Sequence, residues 1–316
     1  MKYALLRLLP LVDLAMLPAV CLFAPVMRLF RRLNARRLPA SSALFQFFGV
    51  WPVRRHYYEP LFHNGDLKRP LNEERSLAID LNEPAQLALA GIADFSREIL
   101  AMNWSAPRTG GFDIGNPYFT AGDAETLYNL VRHFRPTTVV EVGSGHSTMV
   151  AQQALARNAE QGYPSRHMCI EPFEQPWLET LGPTVLRRKV EETGNDIIAA
   201  LAENDILFID SSHVIRPQGD VLFEYLHVIP RLKKGVIVHV HDVFTPRDYP
   251  HDWIVQEKRF WNEQYLLEGL LTNTARYEVI FAANFMKNRH YNILKGVCPH
   301  LTPKHEPGSF YFRIKS

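Results

Sequence analysis

Two short segments carry most of the chemistry that this sequence can offer. Phe208-Ile209-Asp210-Ser211-Ser212-His213 and Val238-His239-Val240-His241-Asp242-Val243-Phe244 are apolar runs that end in acids and imidazoles. Two carboxylates and a histidine, Asp210, Asp242 and His241, can bind a divalent cation. The oxygen ligands suit Mg²⁺ or Mn²⁺, and the imidazole tilts the choice towards a transition metal. His213 is a candidate general base, because an unperturbed histidine titrates near about pH 6.5. His239 lies on the same strand face as His241 but one pleat deeper, which makes it a core or supporting histidine. The plainer alternative is a sheet rim, with Asp210 capping the next turn and His213 on the surface.

A third segment, Thr138-Val139-Val140-Glu141-Val142-Gly143-Ser144-Gly145-His146-Ser147-Thr148, reads as a strand that hands over to a ligand-binding loop. The glycines let the backbone approach a ligand, and the helix that follows offers unpaired N–H groups. Thr148 stands where a dinucleotide fingerprint has its third glycine. Thirty residues after Glu141, Glu171 follows another apolar run, where an acid can accept both ribose hydroxyls of an adenosine ligand.

Positioning these residues requires alternating strands and helices. The pattern predicts helices over about 124–134, 146–158, 195–203, 220–229 and 260–271. Strands are predicted over 138–142, 167–170, 185–190, 206–210 and 236–241, with two late ones over 277–282 and 310–314. Nearly continuous apolar strands alternating with helices mean a mostly parallel sheet covered on both faces. Trp261, Tyr265 and Leu266 have helical spacing and read as core, and Asn262 is a candidate addition to the polar site. In an open α/β sheet, ligands bind beyond the carboxyl ends of the strands, where all three segments end.

On these motifs the sequence resembles class I S-adenosylmethionine-dependent methyltransferases over about residues 118–316. It is most similar to the small-molecule O-methyltransferase branch, which includes catechol O-methyltransferase and macrocin-type sugar O-methyltransferases. The resemblance implies a Rossmann-like methyltransferase sheet with a late antiparallel strand. It implies S-adenosylmethionine held by Glu141, Gly143, Ser144, Gly145, Ser147 and Glu171. It also implies Mg²⁺ or Mn²⁺ on Asp210, His241 and Asp242, and His213 in the place of the catechol enzyme's lysine base. Two departures, a histidine at 241 and Ser212 for the second acid of the sugar enzymes, fall on the metal site.

Upstream, Leu8 to Met27 is twenty residues with Asp13 as the one charge, about the length of a membrane span. Pro10, Pro18 and Pro25 interrupt it, which predicts a kinked or re-entrant insertion rather than a straight span. Arg28, Arg31, Arg32, Arg36 and Arg37 follow and suit anionic headgroups on the cytoplasmic leaflet. No small-residue cleavage site precedes them, which argues against a signal peptide. Soluble packing of this segment is the competing reading.

Residues 1–37 hold seven basic residues and one acid, whereas the remainder holds 28 basic and 32 acidic residues. The body therefore offers no nucleic-acid surface. Three cysteines without CxxC spacing argue against a disulfide framework and fit a reducing compartment. The chain divides into a membrane-associating segment (1–37), an N-terminal cap (38–117) and a catalytic domain (118–316). A long helix is expected near 84–102, and a run of polar aromatics at Arg55–Phe62 is a candidate lining for the acceptor pocket.

The function implied is methyl transfer to a hydroxyl of a small-molecule, glycan or lipid-linked acceptor, by a cytoplasmic, membrane-associated enzyme. The sequence leaves the oligomeric state open. The rival readings are a non-catalytic membrane-associated nucleotide-binding module and an NAD-dependent oxidoreductase. Thr148 and the late strand pair count against the oxidoreductase.

Overall fold

The structure is a computed structural model and describes residues 2–33, 37–50, 61–62, 64–106, 111–173, 175–193 and 196–316. Residues Arg55–Pro60 of the polar aromatic run lie outside the described residues. The chain forms two compact units, Met1–Arg69 and Pro70–Ser316.

The first unit contains α1 (Lys2–Leu33) and α2 (Pro39–Phe47). The segment α1 is helical throughout, Pro10, Pro18 and Pro25 included. Each proline deletes a single hydrogen bond. At spacings of eight and seven residues, all three fall within roughly 80° of the helix circumference, so the losses share one side. Leu9–Leu33, whose most apolar stretch has a mean hydropathy of 2.0 with none of that stretch buried, is long and apolar enough to cross a membrane. Phe30 packs edge-on against Phe45 of α2, with ring centroids 4.8 Å apart.

The second unit begins with α3 (Glu83–Ile92) and α4 (Ser96–Ala101), where one long helix was expected. The break has a local cause. The Asp94 carboxylate accepts the Ser96 N–H at 2.9 Å, a turn bond that competes with continued helix. Ile99 and Trp104 are fully buried, so residues 70–117 belong to the same compact unit as the sheet.

There follow α5 (Asp123–Phe134), β1 (Thr138–Val142), α6 (His146–Glu160), β2 (Arg166–Ile170), β3 (Thr184–Leu186), α7 (Asp196–Ala199) and β4 (Ile206–Ile209). The chain then forms α8 (Asp220–Phe223), β5 (Ile237–Val240), α9 (Glu263–Leu271), β6 (Tyr277–Ala282), α10 (Ala283–Arg289), α11 (Tyr291–Val297) and β7 (Phe310–Ile314). The predicted helix over 220–229 is α8 prolonged by a wider π turn over Glu224–Val228.

The strand order is β3-β2-β1-β4-β5-β7-β6. The first five strands run parallel, and β7 lies antiparallel between β5 and β6. This is the mostly parallel sheet with a late antiparallel element that the sequence implied. All of β4 and β5 is buried, which explains why these strands read as apolar runs without alternation. Strand order reverses between β1 and β4, and a crevice opens at their carboxyl ends. The three chemistry-bearing segments end on that side.

Candidate active site

Beyond β1 the backbone turns sharply at Gly143, whose φ is +77°. Its N–H donates to Ile170 O at 3.1 Å. A Cβ there would stand 1.8 Å from the Asp210 carbonyl oxygen, so only glycine lets the loop pass the end of β4. Gly145 differs: its backbone is extended, and an added Cβ would have Gln175 Cγ as nearest neighbour at 3.8 Å.

A cleft of about 240 Å³ lies beside this turn, lined by Gly143, Glu171, Pro172, Val190, Asp210 and Ser211 among others. Glu171 is held firmly, with Oε2 accepting the Ser144 N–H at 3.2 Å and Oε1 the Phe173 N–H at 2.9 Å. A backbone cradle without side chain and a fixed carboxylate at the wall fit an adenosyl cofactor. The other expected cofactor residues sit around the cleft rather than in its wall. Glu141 is fully buried under the loop and accepts the Thr148 hydroxyl at 2.5 Å. Ser144 is nearly buried, and Ser147 is buried in the first turn of α6.

On the other side of Asp210, the ends of β4 and β5 bring Asp210, His241 and Asp242 together, with their ligand atoms all within 4.8 Å of one another. His241 Nδ1 lies 3.4 Å from Asp210 Oδ1 and 3.5 Å from Asp242 Oδ1. Both of its ring nitrogens are buried without a hydrogen bond. An orphaned imidazole between two carboxylates fits a divalent cation, whose charge would remove the cost of burying that group unpaired.

His241 Nε2 faces Asp123 Oδ2 at 3.6 Å, while Asp123 Oδ1 accepts the N–H groups of Gly308 and Ser309. A carboxylate behind a ligating imidazole is the usual support that fixes its tautomer and orientation. Burial works against protonating His241, yet Asp242, Asp210 and Asp123 outweigh it and hold its pKa well above the ordinary value.

His213 stands over the same carboxylates. Its Nε2 is 3.3 Å from Asp210 Oδ1 and 3.5 Å from Asp242 Oδ2. Its Nδ1 meets Glu263 Oε2 at 2.9 Å. Burial lowers its pKa, but Asp210, Glu263 and Asp242 outweigh burial and hold it well above the usual range. Asp242 is pushed the other way for a carboxylate: burial, and the charges of Asp210 and Asp123, raise its pKa against the lowering by the two histidines. His213 and Asp242 both have a φ of +59°, a left-handed conformation that costs a non-glycine residue about 1–2 kcal/mol. Strain of this kind collects where the surrounding structure fixes a side chain for function.

The loop carrying His213 is clamped by α9. Asn262 N and Glu263 N donate to the His213 carbonyl, and Asn262 Oδ1 accepts the Ile215 N–H at 2.6 Å. The expectation for this helix needs correction. Tyr265 is exposed, and Trp261 and Leu266 are only half-buried. The buried face instead carries Glu263, Gln264 and Glu268 beside Leu267 and Leu271. Leu266 does pack against the core, but the innermost face is shifted from the expected one, because three polar side chains take inward positions to bind His213, the Phe244 N–H and Arg75. The Trp261 ring lies 4.3 Å from the His213 ring and forms a wall of the site.

His239 is a core residue, stacked between Phe208 and Tyr311 at 4.1 and 4.0 Å. Burial keeps it neutral, with its pKa well below the ordinary value. Glu263 and Asp123 are the site residues that sequence reasoning missed. The run of acid and amide at 263, 264 and 268 within an apolar helix was the available signal for the first.

Residues 140–243 match the profile of a methyltransferase-domain family. No curated protein matches the chain. Among solved structures, the chain is similar to the O-methyltransferase TomG from Streptomyces achromogenes in complex with SAM. That match has 13% identity, covers 72% of this chain and 90% of that one, and has a TM-score of 0.36. An O-methyltransferase from Bacillus cereus in complex with SAH matches at 12% identity, covering 80% and 94%, with a TM-score of 0.35. MycE from the mycinamycin pathway, in complex with Mg, SAH and mycinamycin VI, matches at 14% identity, covering 64% and 56%, with a TM-score of 0.31. The family match spans β1 to the loop after β5, the segment that builds the cofactor cleft. Within the second unit, the stretch from β1 to the loop after β5 is therefore similar to a methyltransferase domain, and it lies in a mostly parallel sheet.

Proposed function

We propose that this protein methylates a hydroxyl group, with Asp210, His241 and Asp242 holding a divalent cation and His213 acting as the base. The observation that carries the reading is the position of Asp210, which lines the cofactor cleft and also belongs to the triad. An acceptor oxygen beside Asp210 would therefore lie between the cation site and the cofactor, the alignment that methyl transfer needs. Glu171 and the Gly143 turn hold the cofactor, with Ser144, Gly145 and Ser147 at the loop and helix start and Glu141 beneath.

When bound, a Mg²⁺ or Mn²⁺ ion supplies positive charge that lowers the pKa of the acceptor hydroxyl and offsets the two carboxylates. With two of the charges that hold the His213 proton, those of Asp210 and Asp242, offset by a cation, the neutral imidazole would take the hydroxyl proton at Nε2 while its Nδ1–H stays donated to Glu263. Trp261 keeps water from one side of the imidazole. Chelation is expected to lower turnover by about 10²-fold or more, since such a charge is worth several kcal/mol. Added Mn²⁺ or Mg²⁺ should restore it, with S-adenosylhomocysteine affinity unchanged throughout. Full turnover in excess chelator would remove the cation from the reaction.

The acceptor we favour is a small-molecule, glycan or lipid-linked alcohol met at the cytoplasmic face of a membrane. Support comes from α1, whose apolar residues are exposed over most of Leu9–Leu33, Phe30 excepted, and are joined and followed by a basic cluster. Its continuity suits a span or a long interfacial helix. Full-length protein should float with vesicles that contain anionic lipid. Recovery of all of it in the lipid-free fraction would withdraw the membrane, and with it the case for a lipid-linked acceptor.

A further inference from the structure

We propose a second cation site, for a thiophilic divalent ion of the Zn²⁺ class, formed by Glu141, His167 and Cys169 beneath the cofactor loop. Glu141 lies on β1, and His167 and Cys169 lie on the adjacent β2, where Glu141 is the direct partner of Cys169. His167 Nε2 is 3.3 Å from Glu141 Oε2, and Cys169 Sγ is 3.4 Å from the same oxygen and 4.0 Å from His167 Nε2. The edges of a tetrahedron drawn by bonds of 2.0–2.3 Å are about 3.3–3.7 Å, so small side-chain shifts would seat an ion. A thiolate, an imidazole and a carboxylate are the donor types that select zinc over magnesium.

Hydrogen bonding alone explains this cluster poorly. The Thr148 hydroxyl, the thiol and the His167 nitrogen all converge on Oε2, while Oε1 of the same fully buried carboxylate has no partner. The Ser144 hydroxyl nearby is also buried without a partner and could complete the coordination. Behind the cluster, His167 Nδ1 lies 2.9 Å from Gln152 Nε2; a half-turn of that side-chain amide would bring its oxygen there to accept the Nδ1–H of a ligating imidazole. Loading would release the Cys169 thiol proton to solvent. It would also tie β1 and β2 together directly under the Ser144–Glu171 bond of the cofactor loop.

The test is titration of the full-length protein with Co²⁺ as a spectroscopic stand-in for zinc. A near-ultraviolet thiolate-to-cobalt band should grow to a stoichiometric end point and be displaced by Zn²⁺. Cys169→Ser should abolish the band, and His167→Gln should weaken binding at least tenfold, about 1.4 kcal/mol. Asp210→Asn, which disables the other cluster, should leave the band intact. Should Cys169→Ser fail to fold, the His167→Gln titration decides alone. Absence of the band in the wild type overturns the proposal, as does a band that survives Cys169→Ser, since Cys21 is an exposed thiol, or an unchanged affinity in His167→Gln.

Discussion

Gly143→Ala is expected to weaken S-adenosylhomocysteine binding by at least about 10²-fold, or roughly 2.7 kcal/mol. The conformational term alone is about 1–2 kcal/mol, because φ at this position is +77°. The steric term adds to it. A methyl group 1.8 Å from the Asp210 carbonyl must displace either the loop or the end of β4, and both shape the cleft. Thermal stability should fall with it, since the same movement breaks the bond from Asp210 N to Val142 O. Gly145→Ala provides the contrast. Its added carbon meets nothing closer than 3.8 Å, so Tm should stay within about 3 °C of the wild type. Any loss of binding at 145 must then come from the ligand itself. Isothermal calorimetry and thermal denaturation of both variants separate the two effects. If Gly143→Ala bound the cofactor product as tightly as wild type, the turn would not be the cofactor cradle.

The pair of glycines shows how far the sequence could be read. Both looked alike as members of a G-x-G motif, and the motif correctly located the loop. Which glycine is constrained depends on β4 passing beside the turn, a neighbour 67 residues downstream that spacing does not reveal. The strands were legible for the opposite reason. β1, β4 and β5 are buried on both faces, so each appears as an apolar run wherever it sits in the sheet.

The convergence of Asp210, His241 and Asp242 was legible because Asp210 directly follows β4 and the other two directly follow β5, and parallel neighbours bring their ends together. Their supporting residues were not. Asp123 comes from the start of α5 and Glu263 from the start of α9, and both reach the site only through tertiary packing. Helix phase in α9 misled for a physical reason. A helix that packs polar side chains against a charged site has an inward face that hydropathy reads as outward. In α1 the helix runs through all three prolines, which lie towards one side and cost single bonds.

His213→Ala is expected to lower kcat by about 10²–10⁴-fold, the usual contribution of a positioned base, while S-adenosylhomocysteine affinity stays at the wild-type value. The residue lies at the ends of β4 and β5, and its side chain contacts Asp210, Asp242, Glu263 and Trp261, none of which belongs to the Gly143 turn. Glu263→Gln should reduce kcat by a smaller factor, because the amide oxygen still accepts the Nδ1–H but no longer supplies charge. The decisive measurement is the double variant. Glu263 touches no reacting group in this scheme and acts only by orienting the imidazole. Removing it from a protein that already lacks His213 should therefore change kcat little further. Such non-additivity is the signature of two residues that act as one unit. Independent, multiplicative losses would show that Glu263 works on the acceptor or the cation site directly. An undiminished kcat in His213→Ala would remove His213 as the base.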